Sequence, residues 1–271
     1  MKITFIGGGN MAGALIGGLV QQGFNPSDVR VVEVDSDTRA SLTRAFELKT
    51  YSKISAEAVN TNLIVLAVKP QQLCAVAGEL QPLLREQLVI SIAAGVRTQD
   101  LARWLGGYAR IVRAMPNTPA LVRAGVTGLY ALPGVNAEGR QQAQQVMEAV
   151  GACVWFADEA HMDAVTAVSG SGPAYVFYFI EALEAAAVEL GLSPEQGREL
   201  ALTTFLGAAQ LARSSHDDPA TLRAKVTSKG GTTERAIQAL EESGVKDLIR
   251  GAVRAAAQRS HELGDELGKQ G

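Results

Sequence analysis

The chain has 271 residues, 47% hydrophobic and 20% charged, with a net charge of −3. That balance excludes a disordered chain and a polyanion-binding surface, so nucleic acid is not an expected partner. The length suits one large domain joined to one smaller one. Cys74 and Cys153, the only cysteines, allow neither a disulfide framework nor a CxxC pair and read as small core residues. His161, His216 and His261 show no metal-ligand spacing, so no metal is expected.

The chain opens "MKITFIGGGN", with an apolar run too short for the core of a signal peptide. Val- and Ile-rich runs then recur at 2–7, 29–34, 63–68, 88–93 and 110–115, separated by helical stretches. Continuous apolar runs at that spacing predict a parallel sheet buried on both faces by helices. Two further strands, at 125–131 and 153–157, flank a polar helix near 136–150 and extend the sheet.

"IGGGNMAG" closes the first strand and opens the first helix, giving G-x-G-x-x-A with Gly7, Gly9 and Ala12. In that context the first glycine makes a tight turn, the second admits a pyrophosphate, and Ala12 lets helix and strand pack closely. "EVDSDTR" at 33–39 follows the second strand, where the adenosine ribose is expected. Asp35 there argues for NAD by accepting from both ribose hydroxyls, while Ser36 and Arg39 argue for a 2'-phosphate. "AVKPQQ" at 67–72 offers Lys69 to a phosphate and Pro70 to stiffen the turn. "SIAAG" at 91–95 offers Ala93 and Ala94 as a small surface for a nicotinamide ring, and "RAMPNTPALV" at 113–122 makes a rigid polar loop.

After residue 158 the strand signal stops and the pattern is helical throughout. Glu181, Glu184 and Glu189 make the apolar helix at 174–190 unsuited to a bilayer, so a cytoplasmic chain with no membrane contact is expected. That helix is apolar over most of its circumference, which predicts a second subunit covering it. Gly191 then reads as a C-terminal cap and "SPEQ" at 193–196 as a capping box. Further on, "VTSKGGTTERAI" at 226–237 places two glycines and two threonines before another helix, which by itself reads as an ordinary helix cap, with an anion-holding loop as the alternative.

Taken in order, "IGGGNMA", "AVKP", "SIAAG", "RAMPNTPA", "SGSGPAY" and "TSKGGTT" resemble the pyrroline-5-carboxylate reductase family over nearly the whole chain. The resemblance implies reduction of L-1-pyrroline-5-carboxylate to L-proline by NADPH or NADH, the last step of proline biosynthesis. It implies an α/β fold, with a Rossmann-type dinucleotide-binding domain at 1–158 and an all-helical substrate and dimerisation domain at 159–271. The implied assembly is a homo-oligomer built on an intertwined dimer, with a ring of dimers as its larger form. Cofactor contacts carry over to Ile6, Gly7, Gly8, Gly9, Asn10, Met11, Ser36, Ala67, Val68, Lys69, Pro70, Ala93 and Ala94. Substrate contacts carry over to Ser228, Gly230, Gly231, Thr232 and Thr233, with the Thr233 hydroxyl on the ring nitrogen as the catalytic contact.

Two departures stand out. Asp35, Ser36 and Asp37 occupy the place of the Asn-Arg-Ser-like residues of NADPH-favouring members, and Lys229 stands where many members have Pro. A 3-hydroxyacid dehydrogenase is the nearest rival reading, but its K-x-x-N helix motif is missing from the chain. A non-catalytic NAD(P)-sensing protein is a second rival, and it would have no need of the "TSKGGTT" loop.

Overall fold

The computed structural model describes residues 1–270. They form two compact units, one made of Met1–Ser171 together with the stretch from Ala255 onward, the other of Gly172–Arg254.

The first unit is built on eight strands: β1 (Ile3–Ile6), β2 (Val29–Val32), β3 (Lys49–Tyr51), β4 (Leu63–Leu66), β5 (Leu88–Ser91), β6 (Ile111–Met115), β7 (Gly125–Ala131) and β8 (Gly151–Trp155). Their spatial order is β3-β2-β1-β4-β5-β6-β7-β8. Chain order reverses at β1, which pairs β2 on one side and β4 on the other. A crevice at the carboxyl ends of strands flanking such a switch point is where doubly wound sheets take their ligands.

The apolar runs become strands because both faces of the sheet are covered. All four residues of β1, β4 and β5 are buried. Strand alternation assigns successive side chains to opposite faces. Ile3 and Phe5 therefore pack with α1 (Asn10–Gln21) and α5 (Ala137–Glu148), through Leu15, Ile16, Leu19 and Val146. Ile6, Ile64 and Leu66 face the other way, toward α3 (Leu73–Leu80) and α4 (Thr98–Trp104).

Two features go beyond the alternating pattern. The β6–β7 pair is antiparallel, whereas every other pair is parallel. Only residues 116–124 join those two strands, fewer than a parallel crossover requires. The short edge strand β3 has no counterpart among the predicted runs, since "KTY" carries no apolar pattern and pairs only with β2. It follows α2 (Ser36–Phe46), which ends at Glu47 in the left-handed region, φ 56°.

Helix α6 (His161–Val165) and a π-turn at Thr166–Gly170 close this part of the chain. Both cysteines are half-buried and unpaired. Burial pushes the Cys153 thiol up to about 12, so it stays protonated near neutrality.

The second unit contains α7 (Gly172–Glu189), α8 (Pro194–Ser214), α9 (Pro219–Lys225), α10 (Thr232–Glu242) and the start of α11 (Val245–Gly268). Gly191 turns the chain at φ 92°, and Ser193 with Gln196 forms the capping box of α8. Gly197 lets α8 approach α7 closely, because a Cβ there would stand 3.0 Å from that of Ala187. Ile180 is the one buried residue of α7, while Val176, Phe177, Tyr178, Leu183 and Val188 are exposed in the single chain. Among the described residues no helix is long and apolar enough to cross a membrane.

Candidate active site

At the carboxyl end of β1 the chain turns sharply at Gly7, φ 100°. A Cβ at that position would lie 2.6 Å from the carbonyl oxygen of Ala67, so only glycine lets the turn sit against the end of β4. Gly9 precedes α1 and faces open space, with nothing within 4 Å of where its Cβ would be. Among the described residues no side chain caps α1, and no acidic residue occupies its first turn. Among the described residues, the N–H groups of Gly9, Asn10 and Met11 have no protein acceptor. Open space lined by free donors at a helix N-terminus fits a pyrophosphate. Ala12 is buried against the sheet, as close packing of helix on strand requires.

The end of β2 assigns the acidic residues differently from the spacing argument. Asp35 caps α2, its Oδ2 accepting from the Thr38 N–H at 2.7 Å. Hydrogen bonds from Thr38 hold its carboxyl below the ordinary 3.8. Ser36 is exposed in the first turn of the same helix. The carboxylate that reaches the glycine loop belongs to Glu33, whose Oε2 accepts from the Gly8 N–H at 2.7 Å. Glu33 Oε1 accepts from the Asp35 N–H at 2.9 Å. Arg39 donates through Nη1 to the carbonyls of Glu33 and Val34, at 2.6 and 2.8 Å.

The loops after β4 and β5 line the same edge. Ala67 donates its N–H to Ile6 O at 2.7 Å, which ties the Ala67–Pro70 segment to the glycine loop. Val68 is half-buried, Lys69 is exposed, and Pro70 starts a short 3-10 turn after it. Lys69 makes no ion pair with the described residues, so its ammonium is free for an anion. Ala93 is buried and Ala94 half-buried, and Gly95 follows at φ 78°. Behind that turn lies the end of α11, with Leu263 Cβ 3.3 Å from where a Gly95 Cβ would be. Arg97 pairs with Asp265 at 2.7 Å and meets His261 Nδ1 at 3.1 Å, so α11 braces the loop from outside.

The "RAMPNTPALV" loop is structural in the single chain. Arg113 is 4% exposed and pairs with Glu159 at 3.0 Å. Glu159 also accepts from the N–H and hydroxyl of Thr98, so the carboxylate that faces the buried guanidinium is held in place. Asn117 accepts from the Val126 N–H and donates to Ser169 O, stapling β7 to the π-turn.

In the second unit, residues 228–233 form the turn into α10. Gly230 adopts φ 75°, and a Cβ on Gly231 would stand 2.6 Å from Ser228 Oγ. Both glycines therefore serve the shape of the turn. Their own N–H groups are engaged, Gly230 with Glu234 Oε2 at 2.7 Å and Gly231 with Ser228 O at 3.0 Å. At the start of α10 itself, the N–H groups of Thr232, Thr233 and Glu234 have no protein acceptor among the described residues. Thr233 is half-buried, and Ser228, Lys229 and Thr232 are exposed.

Ile6 to Met11, Ala67 to Pro70, and Ala93 with Ala94 thus meet along one sheet edge, while Ser228 to Thr233 gather at the start of α10. Glu33 and Glu234 were not singled out in the sequence. Glu33 lies within the apolar run at 29–34, and only the end of β2 at Val32 places it at the carboxyl end of the strand. The Gly-rich loop at the switch point of a parallel sheet defines an NAD(P)-dependent oxidoreductase of Rossmann type, continued by a helical region.

Residues 159–263 match the pyrroline-5-carboxylate reductase dimerisation family, and residues 2–95 match the family described as NADP oxidoreductase, coenzyme F420-dependent. The chain is 47% identical to the pyrroline-5-carboxylate reductase of Pseudomonas aeruginosa, over 99% of this chain and 98% of that one. It is 41% identical to the Synechocystis enzyme of that name, over 97% of this chain and 98% of the other. A solved pyrroline-5-carboxylate reductase from Coxiella burnetii superposes with TM-score 0.92 at 43% identity, covering 97% and 98% of the two chains. The Plasmodium falciparum enzyme, solved with NADP bound, superposes at 0.86 with 30% identity and the same coverage. The chain belongs to the pyrroline-5-carboxylate reductase family.

Proposed function

We propose that this chain reduces L-1-pyrroline-5-carboxylate to L-proline with NADPH or NADH, as a cytoplasmic enzyme of proline biosynthesis. The observation that carries the reading is the full-length likeness to reductases of that name, 47% identity over 99% of the chain. The partition proposed is a dinucleotide domain at 1–158 and a substrate and dimerisation domain at 159–271, supported by the family match over 159–263.

The residues on the sheet edge fit a dinucleotide. Gly9, Asn10 and Met11 would hold the pyrophosphate through free N–H groups, Lys69 would neutralise it, and Ala93 and Ala94 would floor the nicotinamide. NAD(P)H, when bound, supplies the hydride. The protein's part is to hold a small anionic imine and handle one proton.

The substrate carboxylate is assigned to the α10 N-terminus, where the free N–H groups of Thr232 and Thr233 and the helix dipole favour negative charge. Gly230 and Gly231 shape that turn, and Ser228 adds a hydroxyl. Thr233 Oγ is assigned to the ring nitrogen. A hydroxyl donates to the imine and accepts from the protonated iminium or amine, so it holds the nitrogen through its protonation change. The iminium is the better hydride acceptor, and Thr233 polarises rather than acting as a strong acid. Positioning of two bound reactants supplies roughly 7 to 11 kcal/mol of barrier lowering in such sites.

The assembly proposed is a homodimer interwound through the helical residues, with a ring of dimers as its larger form. The testing experiment follows NADPH and NADH oxidation at matched concentrations with pyrroline-5-carboxylate. Turnover with proline as product is expected, and no turnover with either cofactor would leave the NAD(P)-sensing reading in its place.

A further inference from the structure

We infer that Glu33 reads the adenosine ribose and makes this chain select NADH over NADPH. The inference rests on the dinucleotide-dependent reading of the site and adds the choice between the two cofactors.

Glu33 is the first residue after β2, the strand beside β1 on one side of the switch point. Its two oxygens are held by backbone donors, Oε2 by Gly8 at 2.7 Å and Oε1 by Asp35 at 2.9 Å. Gly8 is tight against it, since a Cβ there would lie 3.3 Å from both Glu33 Cγ and Oε2. The carboxylate is therefore fixed at the mouth of the glycine loop. Among the described residues only one hydrogen bond is made to each oxygen, and a carboxylate accepts about four. Free lone pairs at that place suit the two vicinal hydroxyls of an unphosphorylated ribose. A 2'-phosphate brings acceptors without protons and charge of the same sign.

The neighbouring charges do not reverse this. Asp35 turns its Oδ2 to Thr38 as a helix cap, and Asp37 in the first turn of α2 adds further negative charge. Arg39 is the cation that would favour a phosphate, and its Nη1 is tied to the carbonyls of Glu33 and Val34. The group bonded to the glycine loop is the carboxylate.

The test compares kcat/KM for NADH and NADPH, with pyrroline-5-carboxylate, in the parent enzyme, Glu33→Gln and Glu33→Ser. Glu33→Gln keeps an acceptor for Gly8 and gains a donor for phosphate. The parent is expected to favour NADH by at least about tenfold, and both variants to move the ratio toward NADPH by about tenfold, through the cofactor KM rather than kcat. A parent enzyme that uses NADPH as well as or better than NADH would overturn the inference, as would a ratio unmoved in both variants. Fluorescence titration of each reduced cofactor without imine separates the two readings. NADH-selective binding without turnover sinks the reductase reading and keeps this inference, whereas turnover with NADPH preferred does the reverse. The parent's ratio and the titration decide the matter even where a variant fails to fold.

Discussion

Thr233 combines the two attributes the chemistry asks for, a hydroxyl and a place in the first turn of α10. Thr233→Ala is expected to lower kcat/KM for the imine by about tenfold to a hundredfold, on the scale of one to two hydrogen bonds, with the cofactor KM unaffected. Steady-state kinetics check it, and an unchanged kcat/KM would remove the hydroxyl from the mechanism. The glycines beside it illustrate the limit of reading residues by type. "GG" before a helix suggests exposed backbone donors, yet Gly230 and Gly231 have their own N–H groups bonded to Glu234 and Ser228. The donors lie one step further on. Glu33 shows the converse, because its neighbour Asp35 carries the same charge, and only the hydrogen bonds tell the carboxylate on the glycine loop from the helix cap.

Helix α2 gives Asp35 a role that titrates. Its folded pKa lies below the unfolded value through the Thr38 hydrogen bonds, so its contribution to stability is full above about 3.8 and fades as pH falls through the folded value. Asp35→Ala is therefore expected to lower the melting temperature at neutral pH, with a gap to the parent that narrows in strong acid. It should leave the NADH to NADPH ratio as it was, in contrast to Glu33. Thermal melts across the acid range, with paired kinetics, would expose a different role if the gap stayed constant with pH or the ratio moved. Other elements were legible in proportion to their apolar content. β1, β4 and β5, buried on both faces, stand out as continuous runs, and "SPEQ" announces the α8 capping box. β3 does not, since a three-residue edge strand of Lys, Thr and Tyr owes its existence to pairing with β2. The direction of β7 is not written in its composition but in the length of the connection before it, nine residues being too few for a parallel crossover.

At the scale of the molecule, α7 leaves Phe177 58% and Tyr178 72% exposed, in company with Val176, Leu183 and Val188. So many large apolar side chains exposed on one helix mark an interaction surface, and the family match over 159–263 is to a dimerisation domain. Light scattering at micromolar concentration is expected to give at least twice the monomer mass, and Phe177→Glu to shift the protein toward monomer with loss of activity. A parent protein that runs as a stable monomer would show that α7 is covered in some other way. By itself the sequence determined the central strands, the glycine loop after the first of them, the run of helices and the family, because these rest on periodicity and short motifs whose physics is local. Only the tertiary structure decided which carboxylate meets the glycine loop, which N–H groups remain free at α10, and that α11 returns to brace Gly95. Those outcomes depend on contacts between residues far apart in the chain, and no local pattern records them.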